Sequence, residues 1–321
     1  MLLPPVSVII PTYNGAPWIK ETLTSVLGQS YPNIEIIVVN DGSQDSTPQI
    51  LEEFGGNIQV LRTSRAGIGR ARNAGMELAH GRYLAFLDHD DLWAEEKVAR
   101  QLELFAHHPE TVVLYTDADE FDDRGTHAKS FFNKFPDLAS SVDIADAMIM
   151  RRAVPLMSTI MIRAEFLREH SIRFHDDASG VDDLYLLLGI YLKGGTFARL
   201  DDRLVKRRLH SGNLSGNHYN RFAGRIRVYG DLMRNYPAVP SRVHRLLVHG
   251  VRDANFRVGE WHWGQLELQK ARSFLWAGIG FSRTGIKSSL LWGLTFVPMR
   301  LVLMLKLLKQ TLVSTKHSDR N

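Results

Sequence analysis

Tyr83-Leu84-Ala85-Phe86-Leu87-Asp88-His89-Asp90-Asp91 passes from five apolar residues directly into a stretch with three acids among four residues. The apolar part reads as a short strand, and the acids as the polar groups it delivers at its carboxyl end. Working outward, Val6–Ile10, Ile34–Val39, Ile58–Leu61 and Thr111–Thr116 read as further strands. Ile34–Val39 has the near-continuous apolar character of a strand covered on both faces. Between the strands, Trp18, Ile19, Leu23, Val26 and Leu27 have helical spacing. A second helix follows the polar break Asn40–Thr47 and ends near Gly55, and Ile68–Ala79 and Glu95–Ala106 read as two more. This alternation predicts an α/β fold: a mixed, mostly parallel sheet with helices on both faces. Ligands of such sheets bind beyond the carboxyl ends of the strands. The polar groups cluster there: Pro11-Thr12-Tyr13-Asn14-Gly15 after the first strand, Asn40-Asp41-Gly42-Ser43 after the second, and Asp88–Asp91 after the fourth.

Beyond Asp117 the pattern loosens. Asp117–Lys134 reads as a strand, a break at Gly125 and a loop. Ser158–Arg163 reads as a strand leading into a helix over Ala164–His170, and Val181–Lys193 as a helix. Thr196–Leu200 and Arg203–Leu209 read as two strands, and from Arg221 onward helical spacing dominates. The charge changes in the same region. Residues 1–202 carry 18 Lys and Arg against 30 Asp and Glu, whereas residues 203–321 carry 21 against 5. The expected organisation is a domain over 1–215 and a basic helical extension over 216–321 with an anionic partner. No nucleic-acid-binding module or aromatic–basic platform accompanies the charge, which argues against nucleic acid. Ser288–Leu305 is apolar but contains Pro298 and Arg300 and is flanked by Lys287, Lys306 and Lys309. Spanning a bilayer takes about 20 apolar residues. The run therefore predicts an interfacial helix on an anionic membrane surface, with packing on the first domain as the competing reading. The chain has no cysteine. A disulfide framework, a thiolate nucleophile and cysteine-ligated zinc are excluded. Met1–Pro5 has no basic start, and Val6–Ile10 is too short for a secretory leader. The expected location is cytoplasmic, peripheral on the inner face of the membrane.

The acids offer two kinds of chemistry. Three carboxylates in Asp88-His89-Asp90-Asp91 repel one another unless a cation sits among them, and Mg²⁺ or Mn²⁺ takes such hard oxygen ligands. The competing reading is a solvated turn capping the helix that begins near Ala94; the strand-end position favours the metal. Asp41 can accept a hydrogen bond from a nucleobase imide or simply cap a turn, and Gly42 lets the chain turn and approach a ligand. Gly180-Val181-Asp182-Asp183 opens a helix. Paired acids there either complement the helix dipole or supply a general base for a hydroxyl. His210, in the polar stretch Arg208–Ser215, is a metal or phosphate ligand or a packing residue. Gly67-Ile68-Gly69-Arg70-Ala71-Arg72-Asn73 lacks the spacing of a phosphate loop. Its arginines can meet phosphate, with an exposed basic helix face as the plainer reading.

Taken in order, Val6-Ser7-Val8-Ile9-Ile10-Pro11-Thr12-Tyr13-Asn14, Val38-Val39-Asn40-Asp41-Gly42-Ser43, Arg72-Asn73-Ala74-Gly75 and Phe86-Leu87-Asp88-His89-Asp90-Asp91 resemble glycosyltransferase family 2. The likeness is strong over about residues 5–120 and weaker to about 215. It implies a GT-A fold and inverting transfer of a sugar from a nucleotide diphospho-sugar, uridine-linked by family weight, to a glycan or lipid-linked acceptor. It assigns Pro11, Thr12, Tyr13, Asp41, Arg72, Asp88 and Arg208 to the donor, with Thr12 and Asp41 at the nucleoside and Asp88 near the ribose. It assigns Asp90, joined by His210, to a divalent Mn²⁺ or Mg²⁺. The family base is usually the Asp of a Glu-Asp pair heading a helix. Here the pair is Asp182-Asp183, so Asp183 takes the base's position. Two rivals remain at this level. A nucleotidyltransferase needs a glycine- and basic-rich loop after the first strand, where this chain has Pro11-Thr12-Tyr13-Asn14. A non-catalytic nucleotide-sugar or glycan-binding protein on the same scaffold would not need Asp41, Asp88, Asp90 and Asp183 together.

Overall fold

The computed structural model describes residues 3–128, 130–138, 143–150, 153–178, 180–213, 218–236, 238–280 and 283–296. In chain order the first elements are β1 (Val6–Thr12), α1 (Ile19–Leu27), β2 (Ile34–Asn40), α2 (Thr47–Glu52), β3 (Gln59–Arg62), α3 (Ile68–Leu78), β4 (Tyr83–Phe86), β5 (Leu92–Trp93) and α4 (Lys97–His107). There follow β6 (Thr111–Asp122), β7 (Gly125–Ala128), α5 (Phe131–Lys134), α6 (Ile144–Ile149), β8 (Met161–Arg163), α7 (Ala164–Glu169), α8 (Asp182–Leu192) and β9 (Thr196–Arg208). Helices α9 (His218–Asn235), α10 (Ser241–Gly264), α11 (Leu268–Ala277) and α12 (Arg283–Leu294) complete the chain.

The strands form one mixed sheet in the order β3-β2-β1-β4-β8-β6-β9-β5, with β7 paired to β6. β1, β2, β3 and β4 are joined in parallel, as are β6 and β9. β8 runs antiparallel between β4 and β6. Successive residues of β1 are buried whichever face they point to, so both faces of the sheet are covered there. Each such Val or Ile stabilises the fold by about 1.5–3 kcal/mol. Chain order reverses at β1, which has β2 on one side and β4 on the other. That reversal opens a crevice beyond Thr12, Asn40 and Phe86. Glu35, the one acid in the apolar β2, accepts hydrogen bonds from Ser7 and from the backbone of His80 and Gly81.

Three departures from the sequence pattern shape the crevice. Leu92–Trp93 forms a strand too short for any periodicity, held by pairing with β9. The two strands expected over Thr196–Leu209 are one. Its register against β6 jumps from Thr116–Leu200 to Asp117–Arg203, so Asp201 and Asp202 are accommodated as an irregularity. Asp202 turns outward to Arg100 at 2.9 Å. β8 begins only at Met161, because a 3₁₀ turn over Met157–Thr159 precedes it; that turn places Ser158 beneath the acids that follow β4.

The chain divides into two compact units, Met1–Leu247 and Val248–Asn321. In the second, Phe256, Ala271 and Leu275 form a small core against which Trp263, Leu291 and Trp292 pack. No described helix is long and apolar enough to cross a membrane. Residues 297–305 of the apolar run Ser288–Leu305 lie outside the described residues.

Candidate active site

A cleft of about 950 Å³ opens where the strands end. Carboxylate oxygens of Asp88, Asp90 and Asp91 lie within 4.8 Å of one another on its floor. The three acids are held differently. Asp91 is buried. Its Oδ2 accepts from Ser158 Oγ at 2.5 Å and its Oδ1 from the Arg208 backbone N–H at 3.0 Å. Burial first, then Asp90 and Asp88, push its pKa well above the ordinary carboxylate value. Asp88 Oδ1 accepts from Arg72. Asp90 Oδ2 accepts from His210 Nε2 at 2.9 Å and Asn213 Nδ2 at 3.2 Å. Among the described residues no donor meets Asp88 Oδ2 or Asp90 Oδ1, which leaves both for a cation. Hard oxygen donors, two of them uncommitted and partly open to the cleft, fit Mg²⁺ or Mn²⁺ completed by substrate phosphates.

Arg72 joins this floor to the second acidic pair. The plain reading of an exposed basic helix holds for Arg70 but not for Arg72, which is buried. Its two terminal nitrogens donate to Asp88 Oδ1 and Asp182 Oδ2, each at 2.6 Å. Its guanidinium lies 5.3 Å from the Phe174 ring centroid, and its Nε is buried with no partner among the described residues. Burial opposes the charge, but Asp88, Asp182 and Asp183 outweigh it and hold the Arg72 pKa above its ordinary value. Arg72 thus positions carboxylates. The nearby glycines answer to packing: a Cβ on Gly69 would lie 2.3 Å from the His175 carbonyl oxygen.

Asp182 and Asp183 head α8. Asp182 is buried against Arg72. Burial raises its pKa, and Arg72 only partly counters that. Asp183 faces the cleft, and its Oδ1 accepts the Leu184 N–H at 2.7 Å. Burial and the adjacent Asp182 push its pKa up to about 6, against the pull of Arg72 and Arg225. A carboxylate with a pKa near neutrality is suited to accept a proton from a hydroxyl.

On the other side of the cleft stand Pro11, Thr12, Tyr13 and Asp41. Asp41 organises the chain around it, accepting from Thr63 Oγ1, Ala66 N and Gly67 N at 2.7–2.8 Å. Gly42 adopts φ 75°, and a Cβ there would sit 3.1 Å from Arg65 N. Its close approach is therefore to the protein's own loop. With three donors on its two oxygens, Asp41 keeps acceptor capacity for a ligand. Arg65 stacks over Tyr13 at 5.0 Å, and Thr12 Oγ1 is buried with no partner among the described residues.

Two expected residues have different roles from those assigned. Arg208, expected at the donor, is buried in the scaffold. Its Nε donates to the Asp90 carbonyl and its Nη2 to Glu21, and its guanidinium stacks on Phe121. Alternation along β9 turns the neighbouring Arg207 toward the cleft instead. His210, expected as a metal ligand, accepts the Gly212 N–H on Nδ1. That bond assigns the proton to Nε2, which donates to Asp90. His210 therefore holds the Asp90 carboxylate in place, and its ring stacks on Trp18 at 4.0 Å. Residues 214 and 215 of its loop lie outside the described residues. The structure also brings in Ser158, Trp18, Phe131, Lys134, Arg221 and Arg225. Trp18 was legible only as part of the apolar pattern of α1; the others carried no sequence signal, because each comes from a turn or helix distant in sequence from the strand ends it meets.

The chain matches the family model described as glycosyl transferase family 2 over residues 7–152. It is 32% identical over 238 residues to TuaG of Bacillus subtilis (strain 168), a protein named as a glycosyltransferase of teichuronic acid biosynthesis; the match covers 72% of this chain and 89% of TuaG. Its fold is similar to the crystal structure of S. aureus TarS residues 1–349 in complex with UDP-GlcNAc, with a TM-score of 0.65 at 22% identity, covering 85% of this chain and 81% of that one. It is also similar to the mannosyltransferase PcManGT from Pyrobaculum calidifontis in complex with GDP-Man and Mn2+. There the TM-score is 0.58 at 19% identity, covering 99% and 88%.

Proposed function

The chain belongs to glycosyltransferase family 2, and from that premise we propose that it transfers a sugar with inversion from a UDP-linked nucleotide diphospho-sugar to an acceptor hydroxyl, in the synthesis of a cell-surface polysaccharide or glycolipid. The observation that carries this reading is one cleft lined by both a carboxylate floor suited to a cation and a separate carboxylate poised near neutrality. Residues 1–215 form the GT-A catalytic domain and 216–321 its basic helical extension. Pro11, Thr12, Tyr13 and Asp41 hold the nucleoside, and Asp88 lies near the ribose. Asp90 with Asp88 would hold Mn²⁺ or Mg²⁺, which would supply positive charge to offset that developing on the leaving diphosphate. Arg72 keeps Asp88 and Asp182 in place. Asp183 accepts the proton of the acceptor hydroxyl, and that oxygen attacks the anomeric carbon from the face opposite the leaving group. The acceptor is a glycan or a lipid-linked glycan. The enzyme works in the cytoplasm, peripheral on the inner face of an anionic membrane.

Calorimetric titration of UDP, GDP and dTDP, each with and without Mn²⁺, tests the donor site on the wild type and on Asp90→Ala. The expected result is metal-dependent binding of UDP that the variant loses. Binding of every nucleotide without metal, unchanged by the substitution, would remove Asp90 and the cation from the mechanism.

A further inference from the structure

Helices α11 and α12 show one side to their own core and another to solvent. Ser288 is buried and its Oγ donates to the Leu275 carbonyl at 2.6 Å. Thr295 is buried too, and its carbonyl and hydroxyl oxygens accept from Arg272. These polar anchors fix the rotation of α12 and leave large apolar side chains outside. Trp276, Ile286, Leu290 and Phe296 are 63%, 58%, 67% and 56% exposed. Ile286 and Leu290 are one turn apart on the same helical face. The Trp276 and Trp292 rings meet at 5.1 Å and those of Trp292 and Phe296 at 4.9 Å. An apolar strip therefore connects the two helices.

Cations border the strip. The Arg272 guanidinium lies over the Phe296 ring at 3.9 Å. Lys287, next to Ile286, is exposed, and the Lys270 side chain is largely exposed on α11. Residues 261–296 hold four Lys and Arg against one acid, Glu267. A symmetric pairing of this face with a second copy would set cations against cations. Exposed tryptophan and aliphatic groups with flanking cations match instead the boundary of a bilayer with negatively charged headgroups. No described helix is long and apolar enough to span.

We propose that this face of α11 and α12 seats the protein on an anionic lipid bilayer. Trp276, Ile286, Leu290 and Phe296 enter the headgroup–acyl boundary, and Lys270, Arg272 and Lys287 meet lipid phosphates. The proposal rests on the reading of the basic extension as interfacial and names the surface responsible. The test is flotation of the full chain with phosphatidylcholine vesicles, with and without phosphatidylglycerol. The probes are the wild type, the Trp276→Ser/Leu290→Ser variant, and Leu27→Ser, which alters an exposed apolar residue of the first unit. Circular dichroism checks that each variant is folded. The expected result is flotation only with phosphatidylglycerol, weakened by salt, reduced about tenfold or more in the double variant and unchanged by Leu27→Ser. Should a folded double variant float as well as the wild type, the membrane reading stands and this face is the wrong one. A wild type that stays down and dimerises with concentration gives the face to a second copy. A monomer that stays down gives it to residues 297–321 of the same chain. Either result overturns the proposal.

Discussion

The two acidic clusters of the cleft are built from the same residue type and handle charge in opposite ways. Each has one member turned into the protein and at least one turned toward the cleft. In the Asp88–Asp91 loop the inward member, Asp91, is held by neutral donors, a serine hydroxyl and a backbone amide. Its negative charge is disfavoured, and the cleft-facing Asp88 and Asp90 present oxygens to a cation. In the α8 pair the inward member, Asp182, is held by a full positive charge, Arg72. Burial, and after it the adjacent Asp182, lift the pKa of the cleft-facing Asp183 to about 6. Burying one acid with neutral donors leaves the others as oxygens suited to a cation. Burying one with a guanidinium leaves the other a carboxyl suited to accept a proton.

Asp183→Asn is the sharpest way to break that contrast, since it removes the proposed base and keeps the shape. We expect kcat to fall by roughly 10²–10⁴-fold, the usual contribution of a general base, with nucleotide binding unchanged by calorimetry. In the wild type, log kcat should rise with pH through about 6 and then level off, because the base works only when deprotonated. The variant should lose that limb. The stability sign is opposite. A carboxyl whose folded pKa is raised contributes stability below its unfolded pKa, near 4, and loses it as pH rises through about 6. Asp183→Asn should therefore be at least as stable as the wild type in thermal melts above neutrality. A variant that keeps full kcat, or that retains the acidic limb, would assign the base elsewhere.

Arg72→Met attacks the link between the clusters. Removing one partner of a buried ion pair typically costs about 3–5 kcal/mol, because the remaining charge is stranded. Denaturant unfolding should show a loss of that order. Arg72→Met/Asp182→Leu should recover much of it, since no charge is then stranded on the α8 side. If the single variant is as stable as the wild type, Arg72 does not carry the charge of Asp182, and the contrast between the clusters fails.

The legibility of these features followed how locally each is determined. The parallel half could be read because β1, β2 and β4 are buried on both faces and end in polar residues at the crevice. Asp41, Asp88 and Asp90 could be singled out because strand ends are local signals, whereas the helix start left Asp183 between dipole complementation and a base, and only the family resemblance chose it. Arg72 and Arg208 were harder. Both are basic residues near acidic motifs, and sequence cannot tell an arginine that meets a phosphate from one that holds a carboxylate. Pairing partners 110 and 187 residues away decide it. His210 posed a similar problem, because the Gly212 amide that selects its tautomer is a property of loop geometry. Ser158 offered no signal. It sits in a turn inside what reads as a continuous strand, and its role arises only when β8 lies antiparallel to β4.

Ser158→Ala is the smallest of the expected effects and tests the neutral-donor side of the contrast. The Ser158 hydroxyl donates to Asp91 and its oxygen accepts the Asp88 N–H at 3.2 Å, so it ties the loop at two points. Deleting it leaves a buried carboxylate oxygen short of a donor, a cost of about 1–3 kcal/mol. Loosening the residues behind a cation site usually weakens metal affinity by roughly tenfold or somewhat more. Mn²⁺-dependent UDP binding should weaken accordingly. The hydroxyl favours the ionised form of Asp91, whose pKa burial raises, so the stability loss should grow as pH rises. A loss that does not change with pH would mean that Asp91 keeps one protonation state throughout. The neutral donors would then set only the geometry of the loop, and the charge difference between the two clusters would reside in the α8 pair alone.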